Sequence, residues 1–239
     1  MTGQAITDPA STAQVFYRKW RPSSFSQLVG QEHVSSTLRQ SLKQGRVAHS
    51  YLFCGPRGSG KTTTARIIAK AVNCLDPQDG DPCNACEPCQ TINSGQYMDI
   101  IELDAASNRG IDEIRDIREK VNFAPAQGQR KVYIIDEAHM LTEAASNAFL
   151  KTLEEPPPHV IFILCTTDAH KILPTIISRC QRFDFRRIPS EQIYGRLADI
   201  TEAEGVSVDP EAMRLVARHA AGSLRDAENL LEQLVVSST

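Results

Sequence analysis

Gly55-Pro56-Arg57-Gly58-Ser59-Gly60-Lys61-Thr62 is the stretch that decides the fold. It fits the pattern G-x-x-x-x-G-K-[ST]. The glycines let the backbone turn its N–H groups inward at a phosphate, and the positive end of a following helix adds to the attraction. In such a loop Lys61 reaches the β- and γ-phosphates, and the Thr62 hydroxyl serves magnesium. The motif requires a strand before it and a helix after it. Residues 51–54 are a short apolar run of strand type, and residues 62–73 read as a helix. The expectation is a site for ATP and Mg2+ that also hydrolyses the nucleotide.

The same alternation continues on both sides of the loop. Upstream, Val34, Leu38 and Leu42 recur at helical spacing within residues 31–45, closed by Gly45. Downstream, strands are expected at 100–103, 131–135, 160–165 and 181–185. Helices are expected at 111–121 and, with Thr142 as N-cap, up to Leu153, where Pro156, Pro157 and Pro158 stop the chain. Strands alternating with helices imply an α/β fold whose parallel sheet is covered on both faces. After Pro189 the strands cease. Ser190 is expected to cap one helix, Asp209-Pro210 to open a second, and Ser223 to cap a third. The division expected is a frayed tail at 1–14, a nucleotide-binding domain at 15–187 and an all-helical lid at 188–239.

The expected strand at 131–135 delivers Asp136 and Glu137 to its carboxyl end, where parallel sheets bind ligands. Asp136 suits a magnesium shell, and Glu137 is placed to polarise an attacking water. Either acid alone would be an ordinary solvated residue; paired with the phosphate loop they form a second site element. His139 reads as a polar helix-start residue. Thr166 and Thr167 end the next strand, where a hydroxyl can orient water or the γ-phosphate.

Cys74, Cys83, Cys86 and Cys89 are spaced C-x8-C-x2-C-x2-C. Two residues between thiolates let neighbours share one ion, and four thiolates complete a tetrahedral zinc shell with no open position. The zinc expected at 74–89 is therefore structural, pinning an insertion whose Pro-, Gly- and Asp-rich residues 76–88 have no regular pattern of their own. Cys54 and Cys165 fall on buried-type strands and, with Cys180, read as packing residues.

Composition excludes other classes. Hydrophobic residues are 41% and charged residues 23% of the 239, so a normal core forms. The net charge of -3 argues against coating nucleic acid by bulk charge and leaves room only for a local basic face. Residues 1–14 do not read as a signal peptide, and no apolar run is long enough to span a bilayer, so the expectation is a cytoplasmic protein without membrane contact.

Taken in order, the motifs resemble a family. Y-R-K-W-R-P-x-x-F-x-x-L-V-G-Q begins at Tyr17, followed by the phosphate loop, the four cysteines and D-E-A-H at 136–139. L-K-T-L-E-E-P-P then begins at Leu150, S-R-C at Ser178 and G-S-L-R-D at Gly222. This order is similar to the AAA+ ATPases of clamp loaders, and the cysteine insertion to the gamma/tau subunits of bacterial DNA polymerase III. The resemblance implies a pentameric motor that opens a ring-shaped sliding clamp and places it on primed DNA. Its partners would be delta, delta prime and further gamma/tau copies, within a DNA polymerase holoenzyme whose polymerase activity lies elsewhere. It implies that Gly55, Gly58, Ser59, Gly60 and Thr63 join Lys61 and Thr62 around the phosphates. Tyr17, Arg18, Pro22, Val29 and Gly30 would flank the adenine, with Lys19 and Arg21 facing solvent. Arg179 would act in trans as an arginine finger on a neighbour's ATP, Arg225 in cis as a sensor on the lid, and Thr167, ahead of Thr166, as a sensor after the fourth strand. Ser107, Asn108 and Arg109 are candidates for contact with the DNA backbone. The family continues beyond the position of Thr239 into a helical collar, so the expectation is a piece of the ATPase module. The competing readings are a branch-migration helicase of the RuvB type, against which the cysteine insertion and S-R-C weigh, and a nucleotide-gated scaffold with negligible turnover.

Overall fold

The computed structural model describes residues 15–237; the tail expected at 1–14 lies outside them. The helices are α1 (Phe16–Lys19), α2 (Glu32–Lys43), α3 (Lys61–Ala71), α4 (Glu87–Asn93), α5 (Ile111–Lys120), α6 (Glu143–Glu154), α7 (Pro174–Ile177), α8 (Ser190–Glu204), α9 (Pro210–His219) and α10 (Leu224–Ser237). The strands are β1 (Ser50–Cys54), β2 (Ile100–Asp104), β3 (Lys131–Asp136), β4 (Val160–Thr166) and β5 (Gln181–Asp184).

Strand order is β2-β3-β4-β1-β5, with every pairing parallel. Side chains alternate across the sheet, so each strand feeds two cores. Tyr51, Phe53, Val132, Ile134, Ile161 and Ile163 pack on one face against Val34 and Leu38 of α2 and Ile67 and Ile68 of α3. Leu52, Tyr133, Ile135, Phe162 and Leu164 pack on the other against Ile114 and Ile117 of α5 and Phe149 and Leu153 of α6. The stacked Tyr133–Phe162 pair, with ring centroids 5.4 Å apart, ties β3 to β4 on that second face. β1 and β4 are buried along their whole length, which is why their sequences read as unbroken apolar runs.

The loop between α5 and β3 is held by two buried polar side chains. Asp99 accepts from the N–H groups of Ala126, Gln127 and Gly128, and Asn73 from those of Gln129 and Arg130. Thr142 caps α6 by accepting from Ala145 N, a bond worth about 1 kcal/mol.

α8, α9 and α10 form a third core around Ile193, Leu197, Ile200, Val216 and Leu231, against which Phe16, Trp20 and Val29 of the N-terminal segment also pack. Ser223 caps as expected, accepting from Asp226 N, and Asp209-Pro210 opens α9 as expected, with Asp209 also capping it by accepting from Glu211 N. Ser190 does not: Pro189 is the boundary residue of α8, and no side chain bonds the helix end. The cysteine-rich segment also holds more structure than its composition implied, because Pro88 sits within the first two positions of α4, where its missing N–H costs nothing.

Candidate functional site

The phosphate loop runs from the end of β1 into α3. Gly60 holds the left-handed conformation that opens α3, at φ +98°. Gly58, at φ +74°, has no room for a Cβ, which would lie 2.0 Å from Ser223 Oγ of the lid. Leu224 N donates to Gly58 O, so the start of α10 rests directly on the loop. Lys61 is 6% exposed, and its ammonium donates to Gly55 O and Pro56 O. Burial pulls its pKa down, while Cys165, Glu137 and Asp136 oppose that shift.

β3 lies one strand away from β1 across β4, so Asp136 arrives beside the loop. Thr62 Oγ1 donates to Asp136 Oδ2 at 2.8 Å. Glu137 is a non-glycine residue in the left-handed region, at φ +49°. Such a conformation costs on the order of 1–3 kcal/mol and persists only where the surroundings impose it. Here the Glu137 N–H donates to Asp136 Oδ1, and its carboxylate accepts from Thr167 Oγ1 at 3.0 Å. His139 is more than a polar helix-start residue. Its Nδ1 lies 3.0 Å from the buried Thr166 hydroxyl and 3.5 Å from Glu137 Oε2. Thr166 is occupied by His139 and the Asp168 N–H, leaving Thr167 as the threonine that meets Glu137.

These residues open onto a cleft of about 770 Å³ between sheet, N-terminal segment and lid. Its walls include Tyr17, Pro22, Val29, Gly58, Ser59, Gly60, Lys61, Thr62, Thr63, Asp136, Glu137 and Arg225. Arg225 stacks over the Tyr17 ring at 4.7 Å, joining lid to N-terminal segment. Arg18 is not among the residues lining this cleft; it donates to the Tyr17 hydroxyl. Gly30 packs against Ile188 and Gln192, and the Gly55 N–H donates to Thr166 O; neither glycine lines the cleft. Arg21, expected in solvent, instead lines the cleft.

The sequence reading also missed Glu228. It borders the cleft on α10, yet it is 4% exposed and its Oε1 has no hydrogen-bond partner. Burial pushes its carboxyl up to about 8, against the opposing pull of Arg196. Below the ordinary value of 4.5 the group is neutral folded or unfolded. Between there and about 8 the folded chain keeps a proton that the unfolded chain releases, so stability falls as pH rises. Glu228→Gln is therefore expected to be a few kcal/mol more stable than the parent at pH 8 and no more stable at pH 4. Denaturant melts at the two pH values check this; an equal gain at both would show that the charge is not the cause.

Arg179 is remote from the cleft. It donates to Glu154 Oε1 at 2.7 Å and to Thr175 O, at the far end of α6. The loop of Ser107, Asn108 and Arg109 is organised by Asp104, and Arg109 folds onto Ala106 O.

Cys74, Cys83, Cys86 and Cys89 converge, with all four sulfurs within 4.8 Å of one another. Tetrahedral Zn–S bonds of about 2.3 Å place sulfurs about 3.8 Å apart, so the set fits such an ion. Cys83 N donates to Cys74 Sγ and Cys86 N to Cys83 Sγ, contacts that favour thiolates. Backbone N–H groups of Ala85 and Cys86 pull the Cys83 thiol down to about 6, while burial pushes the Cys74 and Cys89 thiols up. Among the described residues no helix is long and apolar enough to cross a membrane.

Comparison with known proteins shows the family. Residues 30–189 match the family model described as DNA polymerase III, delta subunit, and residues 192–239 the DNA polymerase III clamp loader subunit, ATPase lid domain. DNA polymerase III subunit tau of Bacillus subtilis is 55% identical over 93% of this chain, and that of Escherichia coli 48% over 94%. The chain spans 39% and 35% of those two relatives. Among solved structures, the RuvB Holliday junction branch migration motor of Thermotoga maritima aligns with TM-score 0.65 over 92% of this chain and 67% of its own. Its 20% identity shows the shared fold alone. A DNA polymerase III gamma subunit-related protein of the same organism aligns with TM-score 0.52 at 26% identity, covering 77% of this chain and 58% of that one. With one family model spanning most of the sheet domain and a second spanning the helices after it, the chain belongs to the clamp-loader subunit family of DNA polymerase III.

Proposed function

We propose that this chain is an ATPase motor module of a replicative clamp loader, using ATP binding and hydrolysis to place a sliding clamp on primed DNA. The observation that carries the reading is the joint placement of Thr62, Asp136, Lys61 and Glu137 at one end of the sheet, with the lid resting on the loop between them. Residues 15–187 act as the nucleotide-binding unit and 188–239 as its lid. The loop N–H groups from Gly58 to Thr63 hold the phosphates, and Lys61 has a third ammonium donor for the γ-phosphate. Thr62 and Asp136 hold magnesium, which would neutralise phosphate charge. Tyr17, Pro22 and Val29 flank the adenine, and Arg225 reads the phosphate from the lid. Glu137 orients the attacking water, with Thr167 on its carboxylate as sensor. Arg179 completes a neighbour's site from the opposite side of the subunit.

Cys74, Cys83, Cys86 and Cys89 hold structural zinc as a closed four-thiolate shell. The partners are other loader subunits (delta, delta prime and further gamma/tau copies), the clamp, and the DNA backbone, in the cytoplasm. Arg109 is the candidate for a contact that ignores base sequence.

The test is ATP turnover of the chain assembled with loader subunits, with and without clamp and primed DNA. Clamp and DNA together are expected to raise hydrolysis; no stimulation sinks the loader reading. Lys61→Ala is expected to weaken ATP binding about a hundredfold by calorimetry, from losing a charge-assisted contact to phosphate. Binding at the parental level would remove the site from this loop.

A further inference from the structure

We propose that Lys70 couples the cysteine cluster to the nucleotide cleft, as counter-charge to the bound metal centre and as the tie that holds the adenine-flanking segment. This inference rests on the zinc and nucleotide readings above.

Lys70 lies in the last turn of α3, the helix that begins at the phosphate loop, and it is 2% exposed. Its ammonium has three donors, and all three are used. They reach Ser23 O at 2.8 Å, Asn84 Oδ1 at 2.5 Å and Asn93 Oδ1 at 2.8 Å. The three acceptors come from three places. Ser23 follows Pro22 in the segment that flanks the cleft. Asn84 lies between Cys83 and Cys86, and Asn93 is on the helix that carries Cys89. A buried ammonium without partners would be costly enough to displace the structure around it. One side chain therefore fixes the relative positions of the phosphate helix, the adenine-flanking segment and the metal-binding insertion. Asp81 of the insertion adds a second contact to the same segment, accepting from Phe25 N at 2.6 Å.

The charge balance points the same way. Four thiolates around a divalent ion carry a net charge of −2. The described residues contain three buried lysines: Lys61 at the phosphate loop, Lys131, whose ammonium bonds Lys120 O and Phe123 O, and Lys70, which lies within electrostatic reach of Cys74, Cys83 and Cys89. Lys70 is thus the buried lysine that offsets the cluster. Metal fixes Asn84 and Asn93, these fix the ammonium, and the ammonium fixes Ser23 beside Pro22. By linkage, whatever the metal adds to nucleotide affinity the nucleotide returns to metal affinity.

The experiment measures zinc affinity of the whole chain by competition with a chelating dye, with and without saturating MgATP, and ATP affinity before and after zinc removal. In the parent, ATP is expected to tighten zinc about tenfold, and zinc to tighten ATP by the same factor, within the usual range for coupled sites. Lys70→Met is expected to reduce that factor to within about twofold of unity. Asn93→Ser changes an exposed residue at one end of the tie and guards against misfolding of the first variant. It is expected to keep one zinc per chain and cut the coupling to about threefold. The coupling factor is the decisive readout, since a purely structural lysine would lower both affinities and leave that factor alone. Zinc and ATP binding independently in the parent, or parental coupling in both variants, would overturn the inference while leaving both sites standing. A chain that binds no zinc, or whose Lys61→Ala variant binds ATP normally, would overturn it together with the readings beneath it.

Discussion

Arg179→Ala should leave ATP binding by the isolated chain within about twofold of the parent and cut turnover of the assembled loader by about a thousandfold or more. Arginine fingers supplied by a neighbour are worth about 10³ to 10⁵ in rate in other nucleotide hydrolases. The asymmetry follows from where the side chain lies. Arg179 stands on the α7 side, bonded to Glu154 and the Thr175 carbonyl, and contributes nothing to the wall of its own cleft. Its exposed pair with Glu154 is worth little against water, so a stronger anionic partner such as a neighbour's γ-phosphate can draw it away. The measurement is a pair: calorimetric ATP binding to the free chain, and steady-state hydrolysis of the complex with clamp and DNA. Equal loss in both would mean that Arg179 acts within its own subunit. Parental turnover in the complex would mean that it does not act at all.

How much of this site the sequence disclosed depends on how local each constraint is. The placement of the loop was legible, because its glycines, lysine and threonine fall within eight consecutive residues between what the structure forms as β1 and α3. The cysteine cluster was legible for the same reason, its spacing limiting which thiols can meet. Thr142 and Ser223 were legible as caps because a cap bonds an N–H group three residues away. Ser190 misled, since the same residue type becomes the first helical residue when proline already sets the boundary. Arg21 and Glu228 were not legible at all. Each is ordinary in its local sequence and acquires its environment only when α10 folds over the N-terminal segment. Lys70 is the extreme case. It reads as a routine basic residue near a helix C-terminus, but its burial depends on Ser23, Asn84 and Asn93, which no periodicity connects.

Glu137→Gln should separate binding from chemistry at the same site. The amide is isosteric, and its oxygen can still accept from Thr167 Oγ1, so the left-handed turn at residue 137 has no reason to change. The Thr62–Asp136 bond is untouched, and ATP affinity should stay within about twofold. On the proposed function, what is lost is the negative charge that would draw a proton from the attacking water, a contribution of about 10²- to 10⁴-fold in general-base catalysis. Because the amide still fills the space and Arg179 of the neighbour is intact, the loader should assemble with ATP, clamp and DNA and then stall before hydrolysis. Single-turnover phosphate release and the lifetime of the clamp-bound complex read the two halves of that statement. If ATP affinity fell as far as turnover, Glu137 would belong with Asp136 in holding the metal. If turnover persisted, the water would be activated elsewhere, and His139, 3.5 Å from the same carboxylate and bonded to Thr166, is a proton acceptor beside the site. A Glu137→Gln, His139→Gln double variant would then decide: a loss confined to the double variant assigns the proton to the histidine, and an unchanged rate removes both residues from the proton's path.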